Sequence, residues 1–284
     1  MKSICFFSSY YNGENIPVYV KFYLTELTKQ FSEVVLVTNE KEFSGSDTLF
    51  LKDSKIQAMK VANEGFDFGM YYKAFQNYDA TNYGRIGLVN DSCVLFGKLT
   101  DFFNWVDKEN PDYCGFTDSY LFGYHLQSYF IVINKNAIPL ATQYFKNHGI
   151  VNDLGEVIQV YEIGLSKYLI DKEMTIKAFY PIPLKGEYNY ALLKAKKLIN
   201  EGFPFVKKKI ITRHYAFERW WSMVVIGFDP FPSNYIKLIR SKYSVAANMF
   251  EELYISKGVI GDLKFQVISI LAIMWGVVRG KRKL

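Results

Sequence analysis

The order of apolar and polar segments restricts this chain more than any other feature. Residues 3–9 are a short apolar run, bounded on its far side by the Asn12-Gly13 turn pair, and predict a buried strand. Residues 17–31 place Val20, Tyr23, Leu24, Leu27 and Phe31 at helical spacing. Val34 to Val37 predict a second strand, stopped by Thr38-Asn39. Residues 48–52 and 56–61 predict a third short strand and its connection, Phe68 to Phe75 a helix, and Arg85 to Val89 a further strand. Strand and helix in alternation predict an α/β protein built on a Rossmann-type sheet.

A second block follows the same logic. Helices are expected at Asp101 to Val106, 137–147 and 156–171, and strands at Tyr113 to Thr117, Tyr129 to Ile133 and 175–180. Helix-like segments rich in Lys and aromatics occupy 188–226. The end differs. Phe265 to Val278 is nearly all apolar but shorter than the ~20 residues a spanning helix needs. The basic residues Arg279, Lys281, Arg282 and Lys283 follow at once, which suits an interfacial helix on an anionic membrane face; a buried helix reads equally well.

Composition narrows the classes. Half of the 284 residues are apolar, so the chain buries a core and is not disordered. A formal charge of +6 is too small to argue for nucleic acid. The 22 Tyr and 24 Phe suit sugar or base stacking, yet an aromatic core accounts for most of them. Cys5, Cys93 and Cys114 are widely spaced among apolar residues, with neither zinc spacing nor a disulfide framework, and read as buried thiols. The apolar run at the start is too short for a signal-peptide core, so a cytoplasmic protein is expected. Neither a Gly-x-Gly-x-x-Gly fingerprint nor a P-loop occurs.

Four segments have the residue types that chemistry needs. In Asn63-Glu64-Gly65-Phe66-Asp67-Phe68-Gly69, two glycines allow close backbone approach, and a helix starting near Phe68 aims N–H groups at an anion such as a diphosphate. Asp67 also suits an N-cap. In Leu88-Val89-Asn90-Asp91-Ser92, a carboxylate follows a hydrophobic strand, at the sheet edge where open α/β sheets bind ligands. Such a carboxylate can hold Mg²⁺ or Mn²⁺ against a diphosphate; a plain strand-ending turn has the same composition. His125-Leu126-Gln127-Ser128 leads polar side chains into a buried strand, where they can meet sugar hydroxyls. Glu162 opens an amphipathic segment, either as a dipole partner or as a general base.

Taken together, these segments, with Ile86-Gly87 ahead of Leu88 and with Gly202-Phe203-Pro204-Phe205-Val206-Lys207, resemble the rhamnan synthesis protein F family and related polysaccharide-biosynthesis glycosyltransferases of O-antigen, capsule and lipopolysaccharide. The resemblance covers residues 1–212 and leaves 213–284 as a helical C-terminal extension. It implies a GT-A-like fold, a mixed and mainly parallel sheet flanked by helices. It also implies transfer of a sugar such as rhamnose or galactofuranose from a nucleotide-sugar donor to a lipid-linked or polymeric glycan. Asn90-Asp91-Ser92 occupies the place of the Asp-x-Asp metal motif, with one carboxylate where two are usual. Glu162 falls where inverting enzymes of this fold have their catalytic carboxylate, at a helix start. Phe66 stands where some branches of the family have Arg.

The expected roles follow. Asn63, Gly65, Asp67, Phe68, Asn90 and Ser92 shape the donor site. Asp91, with a divalent cation, stabilises the departing diphosphate. Glu162 takes the acceptor proton with inversion, and His125 and Gln127 position sugar hydroxyls. Lys207 to Lys209 and Arg213 meet phosphate or simply face water. The rival reading is a non-catalytic scaffold of a polysaccharide assembly complex.

Overall fold

The structure is a computed structural model. It describes all residues except 1, 12, 14, 41, 183–189, 213–228, 230–231, 252 and 254–284. The apolar segment 265–278 and the basic tail therefore lie outside the described residues, as does Arg213. The chain divides into two units, Met1–Tyr190 and Ala191–Leu284.

The first unit alternates strand and helix: β1 (Ser3–Ser9), α1 (Val18–Thr28), β2 (Glu33–Asn39), α2 (Gly45–Asp53), β3 (Gln57–Val61), α3 (Phe66–Asn77), β4 (Arg85–Asn90), β5 (Cys93–Leu95), α4 (Thr100–Glu109), β6 (Tyr113–Ser119), β7 (His125–Leu126) and β8 (Phe130–Asn134). Then come α5 (Ile138–His148), α6 (Leu154–Val157), a π-helical stretch Ile158–Gly164, α7 (Leu165–Asp171) and β9 (Ile176–Tyr180). Eight strands form one sheet in the order β3-β2-β1-β4-β8-β6-β7, with β9 also on β6. β1 to β4 are mutually parallel, β8 runs antiparallel between β4 and β6, and β9 is parallel to β6. The mixed, mainly parallel α/β sheet flanked by helices is thus present.

Alternation along β1 assigns its neighbours to the two faces of the sheet. Phe6 meets Phe75 and Tyr78 of the α3 side, with ring centroids 5.8 and 5.3 Å away. Phe7 meets Tyr23 of α1 at 4.9 Å. On the first face Phe68, Phe145 and Tyr161 stack, joining α3, α5 and the π-helical stretch. On the second, Phe102 of α4 stacks on Phe116 at 4.2 Å and lies edge-on to Phe130. Most of the aromatic surplus is therefore core. The three cysteines are buried free thiols.

Two segments depart from the pattern read in the sequence. Residues 48–52 are not a strand; they lie within α2. Ser44 caps that helix, its side chain accepting from the Asp47 amide at 3.2 Å, and Leu49 is exposed while Leu51 is buried. A two-residue apolar alternation is too short to outweigh such a cap. The expected helix 156–171 is continuous but contains the π-helical stretch, so Glu162 lies inside that stretch rather than at a helix start. The Tyr144 hydroxyl donates to the Val160 carbonyl at 2.8 Å, and a Cβ on Gly164 would come within 2.5 Å of that hydroxyl. A widened turn is the usual way a helix accommodates such an inserted group.

In the second unit, short elements α8 (Tyr190–Leu193, entering from the first unit), α9 (Ala195–Asn200), β10 (Phe205–Lys207) and α10 (Lys208–Ile211) precede α11 (Pro232–Lys242). Lys207 ends β10, and Lys208 and Lys209 lie in α10.

Candidate functional site

Because β1 to β4, β6 and β9 point the same way, their carboxyl ends share one edge of the sheet. The antiparallel β7 and β8 start at that edge. The topology thereby gathers Ser8-Ser9, Asn90-Asp91, Asp118-Ser119, His125 and Ser128 there, although they are far apart in sequence.

Asp91 sits just past β4 and is 8% exposed. Its Oδ2 accepts from Ser9 Oγ at 3.0 Å and from the Tyr19 hydroxyl of α1 at 3.1 Å. Two hydroxyl donors on one oxygen fix the orientation of the carboxylate. Asn90, buried beside it, accepts from the Ser92 amide at 3.0 Å, and its Nδ2 donates to the Ser128 carbonyl at 3.4 Å. Asn90 is thus a buried strut, and Ser92 is exposed.

Asp67, in the first turn of α3, accepts from Ser8 Oγ at 2.9 Å. It is not the N-cap; that position is Gly65, in the left-handed region. Adjacent residues of a strand point to opposite faces, so Ser8 and Ser9 hold Asp67 and Asp91 on either side of the end of β1. Tyr71 of α3 senses both: burial, and then the charges of Asp67 and Asp91 among its neighbours, hold its hydroxyl well above the ordinary phenol range.

The glycine-rich loop is shaped by close approach. Gly65 has φ 69°, and a Cβ there would lie 2.8 Å from Ile150 Cγ2. Gly69 tolerates no side chain, because a Cβ would fall 1.9 Å from the Glu64 carbonyl oxygen. Lys73 fastens the loop through the Ala62 carbonyl at 2.8 Å and Glu64 at 2.7 Å. The Gly65 amide donates to Asn152 Oδ1 at 2.9 Å. Asn63 is exposed on this loop, whereas Phe68 is buried in the aromatic core and faces away from solvent.

Glu162 is half-buried and accepts from Ser128 Oγ at 2.5 Å. Ser128 thereby links the β4 end, through Asn90, to Glu162. Gln127 is buried, its Oε1 accepting from Thr117 Oγ1 at 2.8 Å. His125 is buried with Nδ1 2.9 Å from the Gly123 carbonyl. Both serve the protein's own hydrogen bonding, at the base of the site rather than on its surface.

The structure therefore brings Asp67, Asn90, Asp91, Ser92 and Glu162 to one edge, leaves Asn63 and Gly65 on the flanking loop, and sends Phe68 into the core. Sequence alone passes over Ser8, Ser9, Tyr19 and Asp118, and marks Ser128 only as part of the polar run that starts at His125. The signal for Ser8-Ser9 was present, since they end a buried strand as Asn90-Asp91 does. Nothing local marks Tyr19. Among the described residues, no group of three or more His, Cys, Asp or Glu is arranged to hold a metal.

The profile of the family described as rhamnan synthesis protein F matches residues 34–253. None of the curated proteins matches the sequence. Among solved structures, similarity is found to the glycosyltransferase GlyE of Streptococcus pneumoniae (14% identity, 90% of this chain and 66% of that one, TM-score 0.41). It extends to a protein described as a glucose-1-phosphate thymidylyltransferase of Bacillus anthracis (6% identity, 63% and 87%, TM-score 0.44). It extends also to 4-diphosphocytidyl-2C-methyl-D-erythritol synthase of Anaerococcus prevotii (10% identity, 66% and 90%, TM-score 0.39). Likenesses this loose carry no argument about chemistry.

Proposed function

The chain belongs to the rhamnan synthesis protein F family, and from that premise we propose that it transfers a sugar, rhamnose or galactofuranose, from a nucleotide-sugar donor to a glycan acceptor of a cell-surface polysaccharide. The observation behind this reading is the pair of serine-held carboxylates at the carboxyl edge of the sheet, linked through Asn90 and Ser128 to Glu162. Asp91 marks the diphosphate end. Exposed Asn63 and Ser92, and the N–H groups of the first turn of α3, line the approach of the donor.

A carboxylate next to a diphosphate needs a cation between them. Asp91, oriented by Ser9 and Tyr19, is the residue that would hold a Mg²⁺ or Mn²⁺ there. Such an ion would offset the charge on the departing nucleotide. Glu162, aimed by Ser128, accepts the proton of the acceptor hydroxyl as that oxygen attacks the anomeric carbon, and the nucleoside diphosphate leaves from the opposite side. Inversion follows from this single displacement. Most of the acceleration comes from holding both substrates in line and from charge stabilisation. Of the described helices, none is long and apolar enough to cross a membrane; contact of the tail with an anionic membrane face stays part of the proposal.

The test is a transfer assay with dTDP-rhamnose or UDP-galactofuranose and a rhamnan oligosaccharide. Glu162→Gln should lower kcat by about 100-fold or more while donor binding is kept. Near-normal turnover in that variant removes Glu162 from the base role. Absence of transfer and of donor binding by the wild type favours the scaffold reading.

A further inference from the structure

Between β6 and β7 runs the short loop Tyr120-Leu121-Phe122-Gly123-Tyr124, at the same sheet edge as Asp91. Phe122 is 75% exposed, the most of any large apolar residue among those described. It also sits in the left-handed region, φ 60°, which aromatic residues rarely adopt. An exposed ring in an unfavourable backbone state contributes nothing to the core.

The loop is nonetheless firmly tied. The buried Asp118 carboxylate, next to Tyr124, accepts from the Ile182 amide at 2.7 Å. The Leu121 amide donates to Ser119 Oγ at 3.1 Å, and the Gly123 carbonyl lies 2.9 Å from His125 Nδ1. The Tyr120 and Tyr124 rings are 5.1 Å apart. The loop also lies against the turn that bears Glu162, because a Cβ on Gly123 would be 3.6 Å from Ile163 Cγ2.

We propose that Phe122 is the acceptor platform: its ring face stacks on a sugar ring of the glycan acceptor and sets the attacking hydroxyl beside Glu162. A saccharide presents a face of C–H groups that an aromatic ring covers, while its rim of hydroxyls remains hydrated or meets polar groups such as Glu162. A firmly tied loop that exposes one bare ring and packs against the turn bearing Glu162 suits that ligand. The inference rests on the transferase reading above and names where its acceptor binds.

The experiment titrates a rhamnan trisaccharide into wild type, Phe122→Ala and Phe122→Tyr, with the thermal shift produced by dTDP-rhamnose or UDP-galactofuranose measured on the same proteins. The expected result is trisaccharide binding about 10-fold weaker in Phe122→Ala, recovered within about threefold in Phe122→Tyr, with one donor shifting all three proteins equally. Equal trisaccharide affinity in wild type and Phe122→Ala overturns the platform, as does a wild type that binds donor but no trisaccharide. A donor shift lost only in Phe122→Ala also overturns it, assigning the loop to the donor side. A donor shift absent from all three proteins, with the trisaccharide pattern intact, counts against the transferase reading instead.

Discussion

Replacing Gly69 by Ala tests whether the glycine-rich loop is built as described. The new Cβ would lie 1.9 Å from the Glu64 carbonyl oxygen and 2.7 Å from its carbon. Ordinary carbon–oxygen contacts begin near ~3.3 Å, so the carbonyl must retreat by more than about 1 Å. Both partners are backbone, and no side chain can turn aside. Overpacking of this kind costs about 1–3 kcal/mol, here at the upper end, and the helix-forming gain of Ala over Gly returns about 1 kcal/mol. The net loss is about 2 kcal/mol, a fall of about 1 M in the urea midpoint at an m-value of about 2 kcal/mol/M. Gly45→Ala is the control. That position starts α2 with nothing within 4 Å of an added Cβ, and its effect should stay within about 0.5 kcal/mol. The displaced loop contains Asn63 and Gly65, so the donor-induced thermal shift should shrink in Gly69→Ala and not in Gly45→Ala. Two variants indistinguishable from wild type in urea would refute the close approach of Glu64 to the helix.

Two further outcomes concern the supports of the site. Asp47 is fully buried, accepts from the Ile16 amide at 2.8 Å and pairs with Lys21 at 2.7 Å, fixing the segment that leads into α1 and Tyr19. Lys21→Met leaves that carboxylate without its cation and should cost about 3 kcal/mol in urea unfolding, with Lys21→Arg recovering most of it. Burial raises the carboxyl pKa of Asp118 against the opposing Ile182 amide and Tyr124 hydroxyl. A folded pKa above the unfolded value means that the folded state binds more protons between the two. The contribution of Asp118 is then fully present below about 3.8 and is lost as pH rises through the folded pKa. Asp118→Asn should flatten that part of the stability–pH curve, and an unchanged slope in urea midpoints across it would contradict the shift.

The parallel half of the sheet was legible because each strand is a short apolar run closed by polar residues, and each helix has a repeat of about 3.6 residues. The segment 48–52 misled because its apolar residues fit two periods equally and the Ser44 cap outside it decided. Of the site, Asp91 was legible from its place after a strand. Ser9 and Tyr19, which orient it, come from other elements and meet it only through the parallel pairing of β1 with β4 and the packing of α1. Phe68 reads like a donor residue when adjoining Asp67, yet helical geometry turns it into the core beside Tyr161. Glu162 read as a helix start, because a π-turn imposed by Tyr144 from another helix leaves no mark in the local sequence.

The whole functional reading stands on Asp91 gripping the phosphate end of an activated sugar. Calorimetric titration of dTDP-rhamnose and UDP-galactofuranose, with Mn²⁺, into wild type and Asp91→Asn measures that grip directly. One donor should bind the wild type and lose about 10-fold or more in the variant, which keeps the shape of the side chain and removes its charge. Equal affinities in the two proteins would contradict it.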